Sequence, residues 1–219
     1  MPASLVGADI SQTALEIAAR RVKLHPGADR TTVVRVGEGG DIIDADEQSF
    51  DYVHCSGVLH HVDDPNAVLR EFKRLLAPAG RIRLMLYNRN SIWRNFYVPF
   101  VLQHRRRAID PRLPVDEVFR MSTDGPDCPI ARTYDMRSIS ALAAASGLRS
   151  EWIGTSISQH ELRIWKEYRG IALRSRRTDP AVRAFVESVD TDSDGLPVDV
   201  DRGRPGINLV VELTHAADS

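Results

Sequence analysis

The stretch Ser49-Phe50-Asp51-Tyr52-Val53-His54-Cys55, followed by Ser56-Gly57-Val58-Leu59-His60-His61-Val62, sets the frame for the whole chain. Phe50 to Cys55 reads as a short buried strand, because aromatic and β-branched residues favour a pleated, packed surface. Ser56-Gly57 then breaks the strand. On its C-terminal side, Asp64-Pro65 supplies a helix cap followed by proline at the first helical position. Val68, Leu69, Phe72, Leu75 and Leu76 give that helix one apolar face. Pro78-Ala79-Gly80 is expected to end it, and Ile82 to Tyr87 to form the next strand. On the N-terminal side, Ser4 to Ala8 reads as a strand ending at Asp9. Ser11 caps a helix whose Leu15, Ala18, Ala19 and Val22 fall on one face. Pro26-Gly27 stops it, and the β-branched run from Thr31 to Val36 is a second strand. Strands alternating with helices through short connections predict a parallel α/β sheet with right-handed crossovers.

Beyond Tyr87 the pattern changes. Ser91 to Gln103 is a helix candidate holding Trp93, Phe96, Tyr97 and Phe100, with Pro99 inside it and Arg105-Arg106-Arg107 behind it. A helix packed on the core, with a solvated basic end, outweighs a lid or a membrane-surface helix. A polar loop spans 122–133, a helix 135–146, a strand 148–157, two helices 160–174 and 180–189, and a last strand 207–213.

The 219 residues carry 29 Lys+Arg against 30 Asp+Glu, a formal charge of −1, which argues against a general nucleic-acid binder. Cys55 and Cys128 make no CxxC pair and no disulfide framework. There is neither a leader-like N-terminus nor an apolar run long enough for a membrane span, so a cytoplasmic protein is expected.

Ligands of open parallel sheets bind beyond the carboxyl ends of the strands. Here these ends carry Asp9, Val36-Gly37-Glu38, Ser56-Gly57 and Tyr87-Asn88. A carboxylate closing a strand can take two hydrogen bonds from a ribose diol, each contributing roughly 1.5–3 kcal/mol. It can equally cap the following helix, and nicotinamide-dependent enzymes place an acid at the same point.

Val6-Gly7-Ala8-Asp9-Ile10-Ser11 with Ala14, Leu15 and Ala18 resembles the second strand and helix of the class I S-adenosylmethionine-dependent methyltransferases (of the methyltransferase type 11 kind). Residues 49–62 look like that family's fourth strand and the loop after it, and residues 69–81 like the helix and turn before its fifth strand. The segments keep the family's order over residues 4–88. The resemblance implies a Rossmann-like, doubly wound and mostly parallel α/β fold, and S-adenosyl-L-methionine as cofactor. Methyl transfer would go to a small-molecule or glycan-type acceptor. By position, Asp9 matches the ribose-binding acid and Ile10 the residue packed on adenine. Glu38, with Gly39 beside it, or else Asp41, matches the acid near the adenine amino group, and Ser56-Gly57 the turn lining the methionine moiety. The family's first strand and glycine-rich loop have no counterpart ahead of Asp9. The expectation is an N-terminally truncated reading, whose sheet either rearranges its pairing or shows two unpaired internal edges.

The resulting division is one methyltransferase-like domain over 1–219. It comprises a partial cofactor-binding half at 1–88, a lid or substrate region at 89–147, and a helical and loop insertion at 159–206. A noncatalytic methyltransferase-like chain or fragment is the alternative, and a nicotinamide oxidoreductase comes third.

Methyl transfer to an acceptor rewards alignment and removal of the acceptor's proton. His60, with His61 beside it, and Tyr87 are the catalytic candidates. Cys128 has no base near it in sequence, and His54, His60 and His61 do not have metal-ligand spacing, so no metal is expected. Asp190 to Asp201 begins like a calcium loop, but Pro197 and the Arg-Gly-Arg-Pro run after it favour an acidic surface loop.

Overall fold

The computed structural model describes residues 3–37, 44–199 and 203–216. Strand β1 (Leu5–Asp9), helix α1 (Gln12–Val22) and strand β2 (Thr31–Arg35) form one unit in which β1 and β2 pair in parallel. Ser11 caps α1, its hydroxyl accepting from the Ala14 N–H at 3.2 Å. The second sheet runs β3 (Phe50–Ser56), β4 (Leu76–Asn88), β9 (Asn208–His215), β6 (Leu148–Ser156). The pair β3 and β4 is parallel, whereas β9 is antiparallel to both β4 and β6. Short β5 (Thr133–Tyr134) lies parallel to β4 at Tyr87 and Asn88, just past the point where β3 has ended.

Strands alternate with helices, and β3, β4, β5 and β6 run in one direction with β9 reversed, the mostly parallel α/β arrangement that the sequence led one to expect. The N-terminal expectation meets a definite outcome. Among the described residues, β1 pairs with β2 alone and β3 with β4 alone, so two one-sided strands result rather than a new pairing.

Helix α2 (Pro65–Leu75) starts where expected, with Asp64 accepting from the Ala67 N–H at 3.0 Å. It ends earlier than expected. Leu76 already belongs to β4, which runs on through Pro78-Ala79-Gly80, and a register shift opposite Phe50 and Tyr52 absorbs the extra residues. Leu76 is fully buried and pairs with Phe50, so burial and pairing win over the Pro-Gly stop signal. A Cβ on Gly80 would stand 2.7 Å from Leu76 Cδ1, so the return of the chain there requires glycine.

The aromatic segment Trp93–Arg105 is a π-helix rather than an α-helix, with Pro99 in its interior, and it is core rather than lid. Phe96 stacks on Phe100 and meets Trp165 edge-on. It packs with helices α3 (Val115–Asp124), α5 (Gln159–Arg174) and α6 (Pro180–Ser188). Helix α3 has no counterpart among the sequence expectations. The second apolar cluster lies between α2, α4 (Met136–Ala145) and the sheet, around Leu69, Leu84, Ile139 and Val211. The acidic run after α6 forms a turn joining β7 (Val189–Thr191) to β8 (Pro197–Asp199). Asp192 caps the N–H groups of Asp194 and Leu196 and pairs with Arg204 at 2.7 Å, and Asp201 lies outside the described residues.

Glu161, at the third position of α5, is fully buried. Burial pushes its carboxyl up to about 7, against the hydrogen bonds from Ser158 and the backbone at Ile207 and Trp93, which pull the other way. The unfolded chain releases this proton first as pH rises. Stability from Glu161 is therefore present below pH 4.5, declines as pH rises towards 7, and levels off above it. Urea unfolding of the native chain is expected to show this decline, on the order of 3 kcal/mol, and Glu161→Gln to remove it.

Candidate active site

Asp9 lies at the carboxyl end of β1. Its side chain does not cap α1, a role taken by Ser11, but accepts the Ser11 N–H at 2.8 Å through Oδ1. An exposed carboxylate offers about four lone-pair positions, so most remain for a ligand. Beside it, Ile10, Ser11, Arg35, Val36 and Gly37 line a shallow cavity, and Ile10 is 52% exposed. Glu38 and Gly39, and the alternative acid Asp41, lie outside the described residues.

The strand ends of the larger sheet carry a different group of residues. After Ser56, Gly57 adopts φ +75°, a left-handed turn that favours glycine, and its N–H bonds Met85 O at 3.1 Å. A single 3₁₀ turn, Leu59–His61, follows. Leu59 anchors it in the core, and His60 is only 1% exposed. The His60 ring lies flat on the Tyr87 ring at 3.9 Å, both ring nitrogens are buried without a partner, and burial brings the imidazole down to about 4. His60 is thus a neutral packing group at physiological pH.

His61, next in sequence, is the accessible one, its side chain 31% exposed. Its Nδ1 is 2.6 Å from the Ile130 carbonyl. A carbonyl can only accept, so Nδ1 carries hydrogen and the lone pair of the neutral ring is on Nε2. Nε2 is 3.6 Å from Asp124 Oδ1. Asp124, at the end of α3, accepts the Tyr87 hydroxyl at 2.7 Å on Oδ1 and the Thr123 hydroxyl at 2.6 Å on Oδ2. Burial and this carboxylate push the Tyr87 phenol far above its usual range, so it donates and does not act as a base at neutral pH.

The loop after α3 is stitched onto the histidine turn. The Arg132 N–H donates to His60 O at 2.9 Å, and the Arg132 guanidinium donates to the carbonyls of Val62 and Asp63. This brings Cys128 Sγ to 3.8 Å from His61 Nδ1. A base thus lies near Cys128 in space, though the nitrogen concerned already donates to Ile130 and cannot take the thiol's proton. Asn88 is a structural group, 5% exposed and bonded to Gly206 O and the Asn90 N–H. His54 contacts Tyr52 at 3.4 Å on the sheet surface, away from this cluster.

Two things escape sequence reading here. Asp124 and Thr123 were visible as part of a polar loop next to Gly125-Pro126, but nothing local ties that loop to Tyr87. The choice of His61 over His60 depends on which ring the 3₁₀ turn buries.

The α/β architecture, with its mostly parallel strands, is the fold of the class I methyltransferases, as comparison with solved structures shows. Residues 2–82 match the family described as a methyltransferase domain. A ubiquinone biosynthesis O-methyltransferase of Xanthomonas oryzae is 39% identical over 82 residues, 35% of this chain and 34% of that protein. Its namesake in Neisseria meningitidis is 33% identical over 85 residues, again 34% of its length. The matched segment thus spans about a third of these relatives. Among solved structures, the YcgJ protein of Bacillus subtilis aligns with TM-score 0.56 and 14% identity, over 98% of this chain and 84% of that one. A Thermotoga maritima protein described as an S-adenosylmethionine-dependent methyltransferase aligns with TM-score 0.52 and 16% identity, over 95% and 72%.

The Tyr87–Asp124 bond fixes the end of α3 against β4. Tyr87→Phe is expected to lower stability by about 1 kcal/mol in chemical denaturation, the worth of one half-exposed hydrogen bond to a carboxylate.

Proposed function

We propose that the chain transfers a methyl group from S-adenosyl-L-methionine to a small-molecule acceptor, with a hydroxyl, glycan hydroxyls included, as the accepting group. The observation that carries this reading is the coincidence of the methyltransferase-domain match over 2–82 with an exposed acid, Asp9, at the end of β1 in the matching fold. The residues present suit the cofactor. Asp9 has free lone pairs for a ribose diol, and exposed Ile10 offers an apolar face to adenine. The Ser56-Gly57 turn offers backbone to the methionine end. Glu38 and Gly39 are assigned the adenine side by resemblance.

The cofactor supplies an electrophilic methyl on its sulfonium. The protein has to align the acceptor and let its proton leave. Tyr87 holds Asp124 in place, and Asp124 with His61 forms the polar end that meets the hydroxyl. His60 supports Tyr87 from behind its ring. In this reading 1–88 is the cofactor half, 89–147 supplies the acceptor side, and the site works in the cytoplasm. No helix among the described residues is long and apolar enough to cross a membrane.

Isothermal calorimetry of the full chain with S-adenosylmethionine tests this. Micromolar binding, weakened tenfold or more (about 1.4 kcal/mol) by Asp9→Ala, is expected. No binding at millimolar cofactor overturns it. That outcome favours a noncatalytic methyltransferase-like chain, a reading that draws on the separation of Asp9 and Ser56 onto two sheets.

A further inference from the structure

His61, in the turn after β3, meets Asp124 and Cys128 from the end of α3 and the loop directly after it, and one ligand atom from each of the three lies within 4.8 Å of the others. We propose that these three side chains form a binding site for a borderline-soft dication of the zinc type, with a fourth position open. Imidazole, carboxylate and thiolate are the donors such an ion prefers, and three protein ligands with one open position is the pattern of a reactive rather than a structural site.

Three observations support this. First, His61 Nδ1 donates to a backbone carbonyl at 2.6 Å, leaving Nε2 to bind, and metal-ligating histidines are oriented by the same kind of outer bond. Second, both Asp124 oxygens already hold hydroxyl donors, Tyr87 and Thr123, which orient the carboxylate while leaving lone pairs on it. Third, His61 Nε2 and Asp124 Oδ1 face each other at 3.6 Å, longer than a direct hydrogen bond and within the spacing of two donors that share an ion.

The dimensions fit with a small closure. Bonds of about 2.0–2.3 Å in a tetrahedron put donors about 3.3–3.8 Å apart. The Nε2–carboxylate separation is already 3.6 Å, and Cys128 Sγ, 3.8 Å from His61 Nδ1 and 3.3 Å from the Ile130 carbonyl, would turn from that carbonyl towards the Nε2 side by side-chain rotation. The His61 side chain is 31% exposed and that of Asp124 17%, so an ion can enter. Binding replaces the thiol proton of Cys128, which leaves to solvent, by a sulfur–metal bond, and no electron moves. Ion binding does not depend on the methyl-transfer reading. Where that reading holds, the dication lowers the pKa of an acceptor hydroxyl at the open position.

The test is titration of the full, chelator-stripped chain with Co²⁺, followed by Zn²⁺. A sulfur-to-cobalt charge-transfer band in the near ultraviolet, with visible bands of a tetrahedral ion, is expected, and one equivalent of zinc should bleach both. Cys128→Ser, and Cys128→Ala as a second variant, should lose the charge-transfer band while keeping the native far-ultraviolet dichroism. Asp124→Asn and His61→Gln should weaken cobalt binding tenfold or more, whereas Cys55→Ala, at the thiol buried in β3, should leave it unchanged. Zinc should raise the melting temperature of the native chain but not of Cys128→Ser. A native chain with no such band at millimolar cobalt, or a band that survives Cys128→Ser, overturns the proposal.

Discussion

Strand β4 is the element on which the rest of the structure leans. Over Leu76–Asn88 it pairs with β3 on one side and β9 on the other, and β5 takes over beyond the end of β3. Ile82, Leu84 and Leu86 are fully buried, and its last residues carry the tyrosine that holds Asp124. The ladder to β9 is set by a cross-strand charge group. Glu212 sits opposite Arg83, bonds it at 2.6 Å, and reaches Arg81 at 3.2 Å. A one-residue slip would carry Glu212 to the other face and strand a carboxylate that is 7% exposed, so the register of the antiparallel half is strongly specified.

The same strand explains why the polar cluster is held in place. The 3₁₀ turn after β3 buries Leu59 and His60 and leaves His61 accessible. Tyr87, under the His60 ring, fixes α3 through Asp124, and Arg132 ties the following loop back to the turn. Each component is held by a neighbour that is itself anchored in the sheet. A site supported in this way keeps its geometry without needing a ligand to assemble it.

The sequence was most legible where local chemistry and tertiary packing agree. Ser11, Asp64 and Asp135 cap the helices that their positions announce, and the strands at 31–35 and 50–56 follow β-branched and aromatic runs, as that at 5–9 follows a short apolar one. It misled where the two disagree. Pro78-Gly80 reads as a stop, but buried Leu76 had already begun a strand. Ser91–Gln103 has helical periodicity, but periodicity cannot separate α from π winding around Pro99. That β1 and β3 end at Asp9 and at the Ser56-Gly57 turn was readable from the sequence alone. The contacts of His61 with Asp124 and Cys128 were not, because they cross 60 to 70 residues of chain and depend on the fold of a loop that carries no periodic signal.

The one-sided pairing of β1 bears on the motion of the half that carries Asp9. A two-stranded sheet with one helix is marginal by itself; in α1 only Leu15 is buried, and Leu24, just beyond its end, is 81% exposed. Local opening there costs little compared with opening of the β4–β9 ladder, so amide hydrogens of β1 and β2 exchange with solvent long before those of β4. A molecule gripped by Asp9 at one end and by the Gly57 turn at the other would bridge a soft body and a stiff one. Much of its intrinsic attraction would be offset by quieting the soft one, and its grip would depend on temperature more steeply than its contacts alone suggest.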